Sequence, residues 1–212
     1  MSIVNFSKNE EKFWHNFIGK FGFSKEQEEK FLIYLGMLLE ANKKINLTTI
    51  TSVEGVINYH FADSLMLANF LDLKKINFIC DVGSGGGFPG IPLKILYPHV
   101  KIILIEVVQK KVRFLEKVIN NLSLEGAHVY DQDWRTFLRK TEYEIDLFCA
   151  RASLQPEELV RVFKPTCPYK NAQLIYWAAT GWQPSGKVKS FVKKEEKYTV
   201  GNKKRKFIFL GV

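Results

Sequence analysis

Residues 80–93 read CDVGSGGGFPGIPL, and five of the eight positions from Gly83 to Gly90 are glycine. Glycine loses much conformational freedom on folding, so it is kept where another atom comes close or where φ must be positive. The stretch follows the apolar run INFICDV (76–82). It therefore reads as a turn at the carboxyl end of a strand, the place where open α/β sheets bind ligands. Asp81 lies two residues before the first glycine, and Glu106 closes the next apolar run, KIILIEV (101–107). A strand-end carboxylate such as Glu106 can accept hydrogen bonds from both hydroxyls of a ribose, a device that nicotinamide cofactor sites also use. Gly85-x-Gly87-x-x-Gly90 matches the dinucleotide fingerprint, but glycine-dense loops produce that match by chance. A turn that binds nothing is the bland alternative, and two acids at strand ends weigh against it.

Other candidates are sparser. Arg151 ends the apolar run IDLFCA (145–150). It could contact a cofactor, a phosphate or a base, or form an ordinary ion pair. His60 and Asp63 lie three apart and share one helical face. They could roof the pocket or simply cap a surface helix. His15, His60, His99 and His128 have no metal-ligand spacing, so no metal is expected. Cys80, Cys149 and Cys167 form no CxxC pair and read as reduced thiols of a cytoplasmic protein.

These residues need a frame. Ser7-x-x-Glu10, Ser24-x-x-Gln27 and Thr51-x-x-Glu54 each fit a capping box, and the first 75 residues read as helical. A further helix is expected over about Tyr59 to Leu71. The texture then changes to short apolar runs at 76–82, 101–107, 127–130, 145–150 and 172–179, with helical or loop segments between them. That alternation argues for a mostly parallel sheet covered on both faces. Gly201-Asn202 sits between two β-rich runs and reads as a C-terminal antiparallel hairpin. Pro89 and Pro92 suit a first helical turn. Residues 1–60 are expected to form an N-terminal helical extension on one compact unit, 61–212.

Composition narrows the class. The chain has 212 residues, 46% hydrophobic and 14% aromatic, which suits a packed core. No apolar run is long enough to span a membrane, and the first residues lack the apolar core of a secretory leader. Net charge is +9, from 31 basic and 22 acidic residues. A polyanionic partner follows, nucleic acid first. Lys187 to Lys206 holds nine basic residues interleaved with Phe191 and Tyr198, and Lys110, Lys111, Arg113 and Lys117 form a second cluster.

Asp81-x-Gly83-x-Gly85-x-Gly87 is the pattern of S-adenosylmethionine-dependent methyltransferases, whose strand-end acid and glycine turn cradle the methionine part of the cofactor. The match then becomes specific. DVGSGGGFPGIPLKI (81–95) resembles the loop of the glucose-inhibited division protein B family, the small-subunit ribosomal RNA guanine-N7 methyltransferases. Asn46-Leu47-Thr48, His60 to Ser64, KKVRFL (110–115), Arg151-Ala152 and Arg205 resemble further family elements in the same order. The resemblance covers roughly residues 30–210. It implies a Rossmann-like class I S-adenosylmethionine-dependent methyltransferase fold, with a seven-stranded sheet, a C-terminal hairpin and a helical N-terminal extension.

The resemblance also implies the site. Asp81, Gly83, Ser84, Gly85, Phe88, Glu106, Asp133, Trp134, Arg135 and Arg151 would face the cofactor. Trp134 would stack on the adenine or pack in the core, and Arg135 would contribute main chain. Arg151 is the one candidate for a catalytic role. Lys110, Lys111, Lys203, Lys204 and Arg205 would face RNA. The implied reaction is methyl transfer to N7 of a guanine in the 530 loop (helix 18) of 16S rRNA, by a monomer acting in the cytoplasm on the RNA or the small ribosomal subunit. N7 has a free lone pair in neutral guanine and needs no general base, so alignment suffices. Thr180 stands where many family members have a lysine. A methyltransferase for a small molecule or protein, a nicotinamide-dependent oxidoreductase and a non-catalytic RNA-binding assembly factor are the competing readings.

Overall fold

A computed structural model describes residues 4–212. Helix α1 (Lys8–Phe21) and helix α2 (Lys25–Ile45) open the chain, and each starts on a full capping box, at Ser7 with Glu10 and at Ser24 with Gln27. The third box does not form. Ser52, not Thr51, caps the next helix, because its hydroxyl accepts from the Gly55 amide at 3.1 Å. That helical stretch, α3 here, covers residues 53–69 and starts six residues before the expected Tyr59. It runs from Val53–Val56 through a π-helical turn, Ile57–Ala62, and Asp63–Leu65 to a 3-10 turn, Met66–Asn69. π turns tend to occur at functional sites, and this one carries His60 and delivers Asp63.

The sheet has seven strands: β1 (Phe78–Val82), β2 (Lys101–Ile105), β3 (Ala127–Tyr130), β4 (Leu147–Arg151), β5 (Gln173–Ala179), β6 (Val192–Val200) and β7 (Lys203–Leu210). Their order is β3-β2-β1-β4-β5-β7-β6. The first five pair in parallel; β7 runs antiparallel to β5, and β6 returns against β7 through the expected Gly201-Asn202 turn. The chain winds outward from β1 in both directions, so the topological switch point lies between the carboxyl ends of β1 and β4.

Both faces are covered, as strands that are apolar throughout require. Side chains alternate between them: Ile79, Ile102 and Leu104 point to one cluster, and Cys80, Val82, Ile103 and Ile105 to the other. The first cluster also holds Trp14, Phe17, Phe31, Tyr34, Leu35 and Phe61, so the N-terminal helices share the core of the sheet. Helix α4 (Gly90–Leu96) and helix α5 (Gln109–Asn121) flank that same face, and helix α6 (Trp134–Lys140) lies on the other.

Gly90, at the end of the loop after β1, has no room for a side chain. A Cβ at Gly90 would lie 2.5 Å from Leu104 Cδ2 and 2.8 Å from Asp81 Oδ2. Much of the glycine content is thus explained by the protein's own packing. Gly90→Ala is expected to lose about 1–3 kcal/mol of stability by overpacking. Urea unfolding checks this, and a loss below about 0.5 kcal/mol, the range of a neutral surface change, would contradict it.

Candidate active site

The loop leaving β1 is stitched to its neighbours by main chain and by one carboxylate. The Ser84 amide donates to the Ile105 carbonyl at 2.9 Å. Glu106 accepts from the Gly85 amide at 3.0 Å and from the Val108 amide at 2.9 Å, tying the loops after β1 and β2 together. The Tyr34 hydroxyl, from α2, donates to the Gly86 carbonyl. Gly85 differs from Gly90. Its φ is +59°, and a Cβ there would meet no atom within 4 Å, so the loop opens outward at this residue.

Asp81, in β1 just before the loop, is fully buried. Its Oδ2 accepts from the Gly90 amide at 2.9 Å, while its Oδ1 has no partner. Burial pushes its carboxyl up to about 7, against the lowering effect of the Gly90 amide and Arg151, while the Ser84 hydroxyl donates to the Asp81 carbonyl at 3.0 Å. Ser153 Oγ and Thr180 Oγ1 are also buried without partners. Those residues follow β4 and β5, so three unsatisfied oxygens collect at the carboxyl ends of β1, β4 and β5. The fourth unpartnered atom among the described residues, Arg161 Nε, lies 2.8 Å from the Glu158 carboxylate. Buried polar groups without partners are uncommon in folded proteins. Grooves of about 540 and 870 Å³ lie on the flanks, so unmet bonding rather than void size marks the strand ends.

A second buried carboxylate walls the site. Asp63 has no exposed surface and gathers donors from the strands around it. Arg151 and Arg205 donate to its Oδ2 at 3.0 and 2.9 Å, the Tyr198 hydroxyl to its Oδ1 at 2.8 Å, and Trp177 Nε1 to its carbonyl at 3.2 Å. Arg151 donates further to the Tyr59 carbonyl and to His60 Nδ1, and lies over the Phe88 ring at 5.1 Å. A guanidinium only donates, so His60 Nδ1 accepts and Nε2 carries the proton toward Thr48 Oγ1, 2.8 Å away. Burial, aided by Arg151, Arg205 and Lys203, brings the His60 pKa down to about 3. The neutral ring stacks on Phe88 with centroids 4.4 Å apart.

The expected site residues separate into groups. Asp81, Gly83, Ser84, Gly85, Phe88, Glu106 and Arg151 meet around the switch point. Asp133 caps α6 through the Arg135 and Thr136 amides, at the carboxyl end of β3. The Trp134 indole is a core group: it is 3% exposed, packs on Phe148 and donates to the Glu158 carbonyl. An adenine therefore cannot stack on it, and only its main chain is left to the site. The Arg135 side chain turns to Glu158 at 2.8 Å. Arg205, expected to face RNA, points inward to Asp63, because a buried carboxylate attracts it more strongly than solvent holds it. Lys110, Lys203 and Lys204 are exposed and Lys111 is half-buried; Lys203 lies over the Tyr59 ring. The roles of Asp63 as a hub and of Tyr34, Tyr198 and Ser153 are not legible in the sequence. Only the family-like His60–Asp63 spacing points toward them.

S-adenosylmethionine, implied by the resemblance, carries an ammonium, a sulfonium and a ribose. The residues present fit it. Asp81 offers a buried, half-satisfied carboxylate for a cation. Each Glu106 oxygen has used one amide bond and keeps acceptor capacity for a ribose hydroxyl. Gly85 leaves open space beside them.

Comparison with known proteins gives a consistent family. A family model described as rRNA small subunit methyltransferase G matches residues 27–208. Ribosomal RNA small subunit methyltransferase G of Macrococcus caseolyticus is 42% identical over 147 residues, covering 68% of this chain and 61% of that protein. The protein of the same name from Listeria monocytogenes is 35% identical over 162 residues, covering 76% and 68%. The chain thus spans roughly three-fifths to two-thirds of the length of these relatives. A solved S-adenosylmethionine-dependent methyltransferase from Aquifex aeolicus superposes with a TM-score of 0.53 at 17% identity, covering 71% of this chain and 90% of that one, and so shares the fold.

Asp81 gives a pH prediction with a definite sign. Its carboxyl binds protons more tightly folded than unfolded, so its contribution to stability falls as pH rises from about 4 to about 7. Asp81→Asn removes that fall. Relative to the unsubstituted protein, the variant is expected to gain about 2–3 kcal/mol between pH 5 and pH 8, roughly two pH units at about 1.4 kcal/mol each. Urea denaturation at both pH values measures it; a constant difference would show that Asp81 is not held protonated.

Proposed function

From the premise that the chain belongs to the rRNA small subunit methyltransferase G family, we propose that it methylates N7 of a guanine in the 530 loop (helix 18) of 16S rRNA. The donor is S-adenosylmethionine, and the substrate is the RNA or the small ribosomal subunit. The observation that carries the reading is the trio of unsatisfied oxygens at the ends of β1, β4 and β5, with Asp81 among them. When bound, the cofactor supplies an electrophilic methyl group on a sulfonium.

The chain's own residues then have separate tasks. Asp81, ionised, faces the cationic end of the cofactor. Glu106 accepts from the ribose while still fixing the Gly85 and Val108 amides. The main chain of Asp133, Trp134 and Arg135 borders the adenine. Gly83 and Ser84 shape the turn, and Ala152 (φ +51°) lets Ser153 close against Gly83. Arg151 braces His60 and Phe88, and it acts by positioning that wall. N7 needs no base, and His60, neutral and bonded at both nitrogens, does not act as one. Ser153 and Thr180 are left for the incoming base, with Thr180 replacing the lysine of many relatives. Lys110, Lys111, Lys203 and Lys204 face phosphates. No helix among the described residues is long and apolar enough to cross a membrane, which suits the proposed monomeric enzyme of the cytoplasm.

The test is transfer of labelled methyl to small subunits that lack modifications, with the label located by nuclease digestion and mass spectrometry. Label on one guanine N7 is expected. No label despite cofactor binding would point instead to another acceptor or to a non-catalytic assembly role. Asp81→Asn is expected to weaken cofactor binding roughly 10- to 100-fold, as for loss of a charge-assisted hydrogen bond. Calorimetric affinities check this, and an unchanged affinity would remove Asp81 from the site.

A further inference from the structure

Part of the basic hairpin is already engaged within the protein. In the hairpin, Lys206 is 2% exposed and pairs with Glu195 at 2.7 Å, Lys194 pairs with Glu196, and Arg205 serves Asp63. The groove of about 540 Å³ beside α2 carries Glu26, Glu29 and Glu125 against Lys30 and Lys94. A groove of about 260 Å³ between α2 and α5 carries Lys44, Lys110, Arg113 and Lys117 with Glu40, and a third flank is larger. Between α6 and the 161–170 segment runs a groove of about 870 Å³ lined by Arg135, Arg139, Arg161, Lys164 and Lys170, with Glu142 its one acid. Glu158 pairs with Arg135 and Arg161 at 2.8 Å each. Among the described residues, Arg139, Lys164 and Lys170 have no carboxylate partner; Lys170 reaches only the Pro165 carbonyl.

We infer that this groove grips the sugar-phosphate backbone of the RNA substrate. The inference rests on the proposed rRNA activity and adds a surface to it. Three cations without a carboxylate partner in one concavity suit a polyanion. The lining contains no aromatic side chain, so bases have nothing to stack on and phosphates are the contact. The groove begins where the site ends. Arg135 is two residues past Asp133, at the carboxyl edge of the sheet, and α6 leads away along the flank. Its seven residues span about 10 Å, room for a few nucleotides. Backbone contacts here fix register and orientation, while the base enters at the strand ends.

The test is the double charge reversal Arg139→Glu with Lys164→Glu, both exposed and outside the cofactor site. Lys8→Glu with Lys12→Glu on α1 changes net charge equally and serves as control. Cofactor affinity and thermal unfolding should match the unsubstituted protein in both pairs. The groove pair should raise KM for small subunits at least about tenfold with kcat little changed. Its log–log salt slope for naked 16S RNA should fall by about two, one for each phosphate that is no longer neutralised. Equal behaviour of the two pairs would overturn the inference. Loss of subunit binding with naked RNA binding intact would also overturn it, since a ribosomal protein would then be the contact. If the unsubstituted protein methylates no rRNA but the groove pair alone loses RNA binding, the groove stands and the proposed reaction falls.

Discussion

The buried carboxylate of Asp63 is the interaction on which the rest of the site depends. It lies in α3, yet its partners come from β4, β6 and β7, while Trp177 of β5 holds the main-chain carbonyl of the same residue. A lone ion in such a place is costly, and two guanidinium groups and a tyrosine hydroxyl satisfy it. The same bonds fix where Arg151 can lie. Arg151 in turn sets the tautomer of His60 and rests on Phe88, which closes one side of the glycine loop. One charge therefore joins the N-terminal helices, the middle of the sheet and the terminal hairpin around a single opening.

Asp81 is the counterpart. It is as deeply buried as Asp63, but one oxygen has an amide and the other has nothing. Asp63 is satisfied from within and acts as frame; Asp81 keeps one oxygen without a partner, which the proposed function gives to the cofactor. Burial dominates Asp81 and raises its carboxyl to about 7. The alkyl-transfer chemistry proposed here uses that arrangement well, because a positively charged cofactor meets an unpaired carboxylate in a dry site.

Much of the frame is legible in the sequence because its causes are local. Ser24 and Gln27 lie three apart and cap each other; the apolar runs form strands; Gly201-Asn202 makes the turn. Legibility ends where a distant partner decides. Arg205 reads as one of a solvated basic run, but its partner Asp63 is 142 positions away. Trp134 follows a cap and reads as a stacking surface, yet Phe148 and the Glu158 carbonyl claim it. Thr51 and Ser52 are both cap formers, and only the path of the chain selects Ser52. The glycines of the loop suggest a close ligand. Gly90 instead admits Leu104 and Asp81, and Gly85 alone of the pair opens outward.

The most direct measurement is the number of protons exchanged on cofactor binding at pH 7, from calorimetry in buffers of differing ionisation enthalpy. A carboxyl titrating near 7 is about half protonated in the free protein and must ionise to meet a cation. The account predicts that the protein releases more protons than Asp81→Asn does, by a fraction of one. Equal proton counts for the two would show that Asp81 does not meet the cationic end of the cofactor.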